Sequence, residues 1–207
     1  MAEHYFSRRP TSREDLGLVR CRLRGLDFEF LTSSGVFSYR RIDSGSRLLI
    51  ESMVLPEGGR VLDVGCGYGP VGIAAARLSP GLEVWMTDVN ERAVSLALRN
   101  AGLNGVGSVR VLQGDLYEPV GGLVFDAVLS NPPISAGMRR VVGPLVEGAW
   151  DRLVEGGSLQ LVVQWNKGGR TVASMMGSRF GGHDVLARRG GSRVLRSVKK
   201  GDSEAGS

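Results

Sequence analysis

The sequence is short of cysteine and of long apolar runs, and each shortage excludes something. Cys21 and Cys66 are the only cysteines, too few for a disulfide framework and without a zinc-ligand pattern. No apolar run approaches the ~20 residues of a membrane span. The opening Met1-Ala2-Glu3-His4 lacks the basic and apolar regions of a signal peptide, so a cytoplasmic setting is expected. There is no internal repeat and no sign of a second domain. What remains, at 207 residues, 42% hydrophobic and 23% charged, fits one globular α/β domain with a small appendage.

Acids are outnumbered, and the net charge is +5. Arginines crowd both chain ends, at Arg20, Arg22 and Arg24 and again at Arg188, Arg189, Arg193 and Arg196, with Arg139 and Arg140 between them. A solvated surface in an arginine-rich proteome is the plain explanation. Clusters at both ends and beside a candidate catalytic loop favour a polyanionic partner, RNA above all.

Strand-like and helix-like patterns alternate along most of the chain. Leu18–Arg24 and Leu26–Leu31 alternate around Gly25, which predicts a β-hairpin. Asp43 or Ser44 caps a following helix. Strands are expected at residues 60–64, 83–88, 109–113, 125–130, 158–164, 184–186 and 193–198. Helices are expected at 70–78, 90–100, 138–153 and 170–176, with Gly156-Gly157 turning the chain into the fifth strand. This order predicts a doubly wound, mostly parallel seven-stranded sheet with helices on both faces. Residues 1–45 form the N-terminal extension, 46–200 the main domain and 201–207 a frayed tail.

The chemistry begins at Asp63-Val64-Gly65-Cys66-Gly67-Tyr68-Gly69. An apolar strand ends in an acid, glycines follow at alternate positions, and a helix starts. Gly67 to Gly72 also satisfies G-x-G-x-x-G, a weak dinucleotide signal. Asp63 discriminates, because a carboxylate there repels a pyrophosphate and welcomes a cationic amino-acid end. S-adenosylmethionine has that end and no phosphate. An ordinary glycine-rich turn is the bland alternative. Cys66 fits as a small space-filler. Asp88, with Val89 beside it, ends the second strand where an acid accepts a ribose diol, a device that NAD sites share. Asp115 follows the third strand, placed to take an adenine amine, with Leu116 against the ring. Either acid can instead serve as a turn residue or cap.

Ser130-Asn131-Pro132-Pro133-Ile134 follows the fourth strand. The two prolines can be simple punctuation. They also leave carbonyls free in fixed directions, and Asn131 adds a carboxamide acceptor. Two rigid acceptors grip the hydrogens of an –NH2 group and bring its lone pair forward. Asn131-Pro132-Pro133 is similar to the Asn/Asp-Pro-Pro-aromatic motif of amino methyltransferases. Ile134 departs from it at the aromatic position, and Phe37, Tyr39 and Trp165 are candidates to supply that face. His183 lies far from both motifs and is read as structural.

Ser34-Gly35-Val36-Phe37-Ser38, Asp43-x-Gly45-Ser46-x-Leu48-Leu49 and the two motifs above together resemble the small-subunit ribosomal RNA guanine-N2 methyltransferase family. The likeness to its single-domain archaeal relatives extends to His4-Tyr5-Phe6-Ser7 and to Gly190–Leu195. The resemblance implies a class I, Rossmann-like fold, S-adenosylmethionine as cofactor and a guanine amine in structured RNA. It implies that Asp43, Ser44 and Gly45 contact the methionine end, and that Asn131 with Pro132, Pro133 and Ile134 forms the catalytic loop. Phe37, Tyr39 and Arg139 are the expected substrate contacts, with Asp63, Gly65, Cys66, Gly67, Gly69, Asp88, Val89, Asp115, Leu116 and Asn131 around the cofactor. Bacterial members carry a second, degenerate domain copy that this sequence lacks, so the basic hairpin, a homodimer or the substrate's shape has to replace it.

Other targets use the same motif: a transfer RNA guanine, an adenine N6, or a protein glutamine. A nicotinamide oxidoreductase leaves Asn131-Pro132-Pro133 without a role, and a non-catalytic RNA-binding protein leaves both motifs unused. Asp88→Ala is expected to weaken S-adenosylhomocysteine binding, measured by calorimetry, before it affects anything else.

Overall fold

The computed structural model describes residues 15–36, 38, 41–133 and 137–201, except the Arg139 side chain. β1 (Leu16–Leu23) and β2 (Leu26–Ser33) form the expected hairpin, closed by Arg24-Gly25 between the facing Leu23 and Leu26. Both turn residues have positive φ, 45° and 81°, which matches the twist of the strands they join. Phe28 and Phe30 point inward at alternate positions, stack at 5.8 Å, and meet Tyr68 edge-on through Phe30.

The main sheet contains β3 (Gly59–Val64), β4 (Leu82–Asp88), β5 (Val109–Gln113), β6 (Phe125–Ser130), β7 (Leu153–Gln164), β8 (Asp184–Arg189) and β9 (Ser192–Val198). Their spatial order is β5-β4-β3-β6-β7-β9-β8. β3 to β7 are parallel, and β9 runs antiparallel between β7 and β8. The side-chain period of two splits the core. Val61 joins α1 (Ser44–Ser52), α2 (Pro70–Leu78) and α3 (Glu91–Leu103) on one face. Leu62 and Val64 join α4 (Gly143–Arg152) and α5 (Arg170–Phe180) on the other. The chain leaves β3 in one direction and returns to β6 on its other side. That switch leaves a crevice at the carboxyl ends of the strands.

Two expectations need correction. The helix expected over 138–153 is a π-helical turn, Met138–Val142, followed by α4, and it stops at Arg152. Lys199 ends it by donating from Nζ to the Trp150 and Leu153 carbonyls at 2.8 and 2.9 Å. The fifth strand of the sheet starts at Leu153 rather than Ser158. Phe125 faces Leu153 while Ala127 faces Ser158, so the extra residues of β7 bulge out. Gly157 permits this, because a Cβ there would meet the Val154 carbonyl at 2.9 Å and the Phe125 carbonyl at 3.1 Å. The tail beyond Gly201 lies outside the described residues.

The hairpin does not join the main sheet. Its β2 edge is instead read by two asparagines one turn apart, Asn100 in α3 and Asn104 at the C-cap of that helix. Asn100 accepts from Leu31 N–H at 2.7 Å and donates to the Leu31 carbonyl at 2.9 Å. Asn104 does the same for Glu29, at 3.1 and 2.7 Å. Asn100 also donates to the Tyr68 carbonyl at 2.8 Å, which ties the hairpin to the glycine loop. Asn100→Leu strands three polar groups and is expected to cost on the order of 2–4 kcal/mol. Urea unfolding measures that loss, and limited proteolysis should cut the variant first within residues 16–33.

Candidate active site

A cleft of about 880 Å³ opens at the carboxyl ends of β3, β4, β5 and β6. Its floor is the loop between β3 and α2. The N–H groups of Gly65 and Cys66 both donate to the Thr87 carbonyl, at 2.8 and 3.0 Å, which fastens the loop to β4. Gly67, at φ +58°, turns its N–H onto Asp88 Oδ2 at 2.8 Å. Gly72 allows α2 to lie close to the sheet, since a Cβ would strike Met86 Sδ at 2.5 Å. Its N–H donates to Asp63 Oδ2 at 2.9 Å.

Two acids therefore face the cleft from its floor. Asp63 is 1% exposed. Burial pushes its carboxyl up from 3.8 to about 7, the Gly72 N–H opposes that rise, and the neighbouring Asp88 adds to it. Burial also raises Asp88, against the N–H groups of Asn90, Gly67 and Val89. Among the described residues no lysine or arginine pairs with either acid. Such a floor favours a cationic ligand. Burial holds the Cys66 thiol well above its usual range, with both acids adding to the effect, so it is an inert wall.

The third component joins two distant parts of the chain. Asp43 caps α1 by accepting from Gly45 and Ser46 N–H at 2.8 and 3.1 Å. Asn131, at the end of β6, donates from Nδ2 to Asp43 Oδ1 and to Ser46 Oγ, each at 3.0 Å. Both amide hydrogens are used, which fixes the orientation of the carboxamide. Among the described residues no donor reaches its Oδ1. Ser130 Oγ holds the same strand end by donating to the Val64 carbonyl at 2.7 Å.

The cleft brings together Asp43, Asp63, Gly65, Cys66, Gly67, Asp88, Val89, Asp115, Leu116, Asn131, Pro132 and Pro133. Three expected contacts are not in its lining. Ser44 is exposed at the first turn of α1. Gly45 sits behind Asn131, where a Cβ would come within 3.2 Å of Oδ1. Gly69 packs against Ile73 and Ala97 at the start of α2. Trp165 also lies elsewhere, beside the turn between β8 and β9. Phe37, Tyr39, Ile134 and the Arg139 side chain fall outside the described residues. His183 is exposed just before β8, at the opposite sheet edge.

Of the other lining residues, Ser46 was marked only through the resemblance, and Thr87 carried no local sequence signal. Thr87 donates from Oγ1 to the Leu116 carbonyl at 2.9 Å, which holds Leu116 at φ +45°. Arg140, one of the arginines noted beside the candidate catalytic loop, lies in the π-helical turn and lines the cleft.

A switch-point crevice, a glycine loop and acids after successive strands define the class I S-adenosylmethionine-dependent methyltransferases. The chain belongs within that class to the methyltransferase small domain family, whose model matches residues 27–196. It is 39% identical over 201 residues to the uncharacterised Bacillus subtilis protein YbxB, covering 96% of this chain and 100% of that one. A full-length match of this size is thus found in a bacterium as well as expected among archaea. Ribosomal RNA small subunit methyltransferase C of Escherichia coli is 33% identical over 178 residues, 84% of this chain and 50% of that protein. A T. thermophilus 16S rRNA N2 G1207 methyltransferase (RsmC), solved in complex with AdoMet and guanosine, superposes with a TM-score of 0.80 at 26% identity. That match covers 92% of this chain and 52% of that one. The chain spans about half the length of these methyltransferases.

Asp63 keeps its proton to higher pH in the folded protein than in the unfolded chain. Stability therefore falls as pH rises from about 4 to about 7 and levels off above that. Asp63→Asn keeps an acceptor for Gly72 and removes the loss. Thermal melts should show it more stable than the unsubstituted protein at pH 8, with the gap narrowing towards pH 4.

Proposed function

We propose that the protein transfers a methyl group from S-adenosylmethionine to the exocyclic N2 of a guanine in small-subunit ribosomal RNA, in the cytoplasm. The observation that carries this reading is the locked carboxamide of Asn131. Its NH2 is spent on Asp43 and Ser46, so it offers only an acceptor to the cleft. Pro132 lines the cleft beside it, and its carbonyl would serve as the second acceptor. Two fixed acceptors match the two hydrogens of an –NH2 group, whereas a hydroxyl can satisfy only one of them and a carbonyl neither.

The donor set fits the cofactor. A buried, unneutralised Asp63 suits its ammonium end, Asp88 its ribose diol, and Asp115 with Leu116 its adenine. Bound there, S-adenosylmethionine supplies an electrophilic methyl group and leaves as S-adenosylhomocysteine. Asn131 and Pro132 hold the amine nitrogen in line and favour the geometry in which its lone pair is released from conjugation. A paired guanine has to leave its helix to reach them. The proton is lost to water, so no buried base is needed. Arg140 sits at the rim, where a phosphate of the substrate passes.

The curated relatives named for ribosomal RNA methylation, and the guanosine held by the T. thermophilus neighbour, support the choice of guanine over other amines. The test uses labelled S-adenosylmethionine with ribosomal RNA, ribosomal subunits, transfer RNA, DNA and protein in separate reactions, followed by digestion. Label in N2-methylguanosine is expected, and label in methyladenine or methylglutamine would overturn the substrate. Asn131→Ala should cut transfer by on the order of 10²-fold while S-adenosylhomocysteine still binds. Asp63→Asn should do the opposite, losing cofactor affinity in a protein that is not destabilised.

A further inference from the structure

A second cleft, of about 460 Å³, lies at the same carboxyl edge of the sheet. It is built by a cross-strand pair of like charges. The two-residue turn Gly190-Gly191, with φ of 55° and 79°, joins β8 to β9 and sets Arg188 directly opposite Arg193. Facing like charges weaken a hairpin. Among the described residues no carboxylate pairs with Arg188, Arg189, Arg193 or Arg170. Trp165, at the end of β7, holds the Arg193 guanidinium 3.4 Å from its ring centre, with Arg170 at 5.9 Å. Desolvation and the nearby Arg188 and Arg170 lower the Arg193 pKa, as crowding of positive charge does. An anion entering the cleft would relieve that crowding.

The cleft is near the chemistry. β7 lies beside β6, and Ser130 faces Leu161. Trp165 is then one strand over and a few residues beyond Asn131, about 11 Å away at the spacings of a sheet. The N-terminal arginines are placed differently. Arg20 is paired with Glu29 at 2.7 Å. Arg24 contacts the Met53 carbonyl beyond the far end of α1, a helix of nine residues whose other end carries Asp43.

We propose that Arg188, Arg193 and Arg170 bind a phosphodiester of the RNA strand that carries the modified guanine, with Trp165 bracing Arg193 as a fixed fork. This rests on the RNA reading above and adds the path of the strand. It leads from the catalytic loop across the end of β7 to the β8–β9 turn, rather than over the hairpin. Arginine suits this role because its planar fork meets two phosphate oxygens at once.

The test measures binding of the full chain to a transcribed fragment of small-subunit ribosomal RNA across a range of salt concentrations. The double variant Arg188→Gln/Arg193→Gln should bind about ten-fold more weakly at low salt and lose about one unit of log–log salt slope. Its melting temperature should equal or exceed the original, since a repulsion is removed, and its S-adenosylhomocysteine affinity should be unchanged. Arg193→Lys, which keeps the charge without the fork, should fall between the two. The triple variant Arg20→Gln/Arg22→Gln/Arg24→Gln should keep the original slope. An original slope in the double variant, or a slope loss confined to the triple variant, would overturn the proposed path while leaving the enzyme reading intact. Failure of the unsubstituted protein to bind the RNA in a salt-dependent way would remove both.

Discussion

One carboxylate holds the site together. Asp43 Oδ1 accepts from two backbone N–H groups of α1 and from the Asn131 amide. The same oxygen thus starts a helix and orients a side chain 88 positions away in sequence. Together with the bond from the same amide to Ser46 Oγ, it joins the segment before the main sheet to the loop after β6. Helix capping is ordinarily a local matter of satisfying free N–H groups. Here the cap also fixes which end of a carboxamide faces the cleft. The orientation of that carboxamide therefore arises from a folding interaction, and α1 shapes the cleft without contributing a reactive group.

The cleft floor pays in stability for affinity. A carboxyl buried with one N–H partner and a second acid nearby is poorly placed in the free protein. Its cost is contained by the close packing that Gly72 permits and by the loop bonds to Thr87. A cationic ligand removes the mismatch. On the other side of the catalytic loop, Arg188 and Arg193 face each other across the β8–β9 hairpin. The sheet edge thus carries two local excesses of charge of opposite sign, with the Asn131 acceptor between them.

Much of this was legible in the sequence, for physical reasons. Short apolar runs closed by Gly114 and by Asn131-Pro132 located β5 and β6 to the residue, and Pro70 marked the start of α2, because those residues act on the backbone locally. Asp63, Asp88 and Asn131 were legible because each ends an apolar strand. The misreadings are non-local. The π-helical turn at 138–142 has no signature in the local helical pattern, which runs on without a break. The bulge in β7 depends on β6 beside it. Gly69 sits in the motif but faces α3, since alternate residues of a tight turn point in different directions. Trp165 was weighed as a stacking partner for the target base. Its true neighbours come from β9, which inserts between β7 and β8 in a way that no local pattern reveals.

The asparagine pair at the end of α3 has an evolutionary consequence. Asn100 and Asn104 recognise the main chain of Glu29 and Leu31, and never their side chains. Docking of the hairpin therefore asks for two extended peptide units together with the apolar side chains it buries, Leu23, Phe28 and Phe30, and Leu31 packed against the same core. The outward side chains of Arg20 and Arg22 are freer to drift. The hairpin is in effect an interchangeable faceplate, through which one catalytic body can be refitted to different surroundings while the cleft behind it stays unaltered.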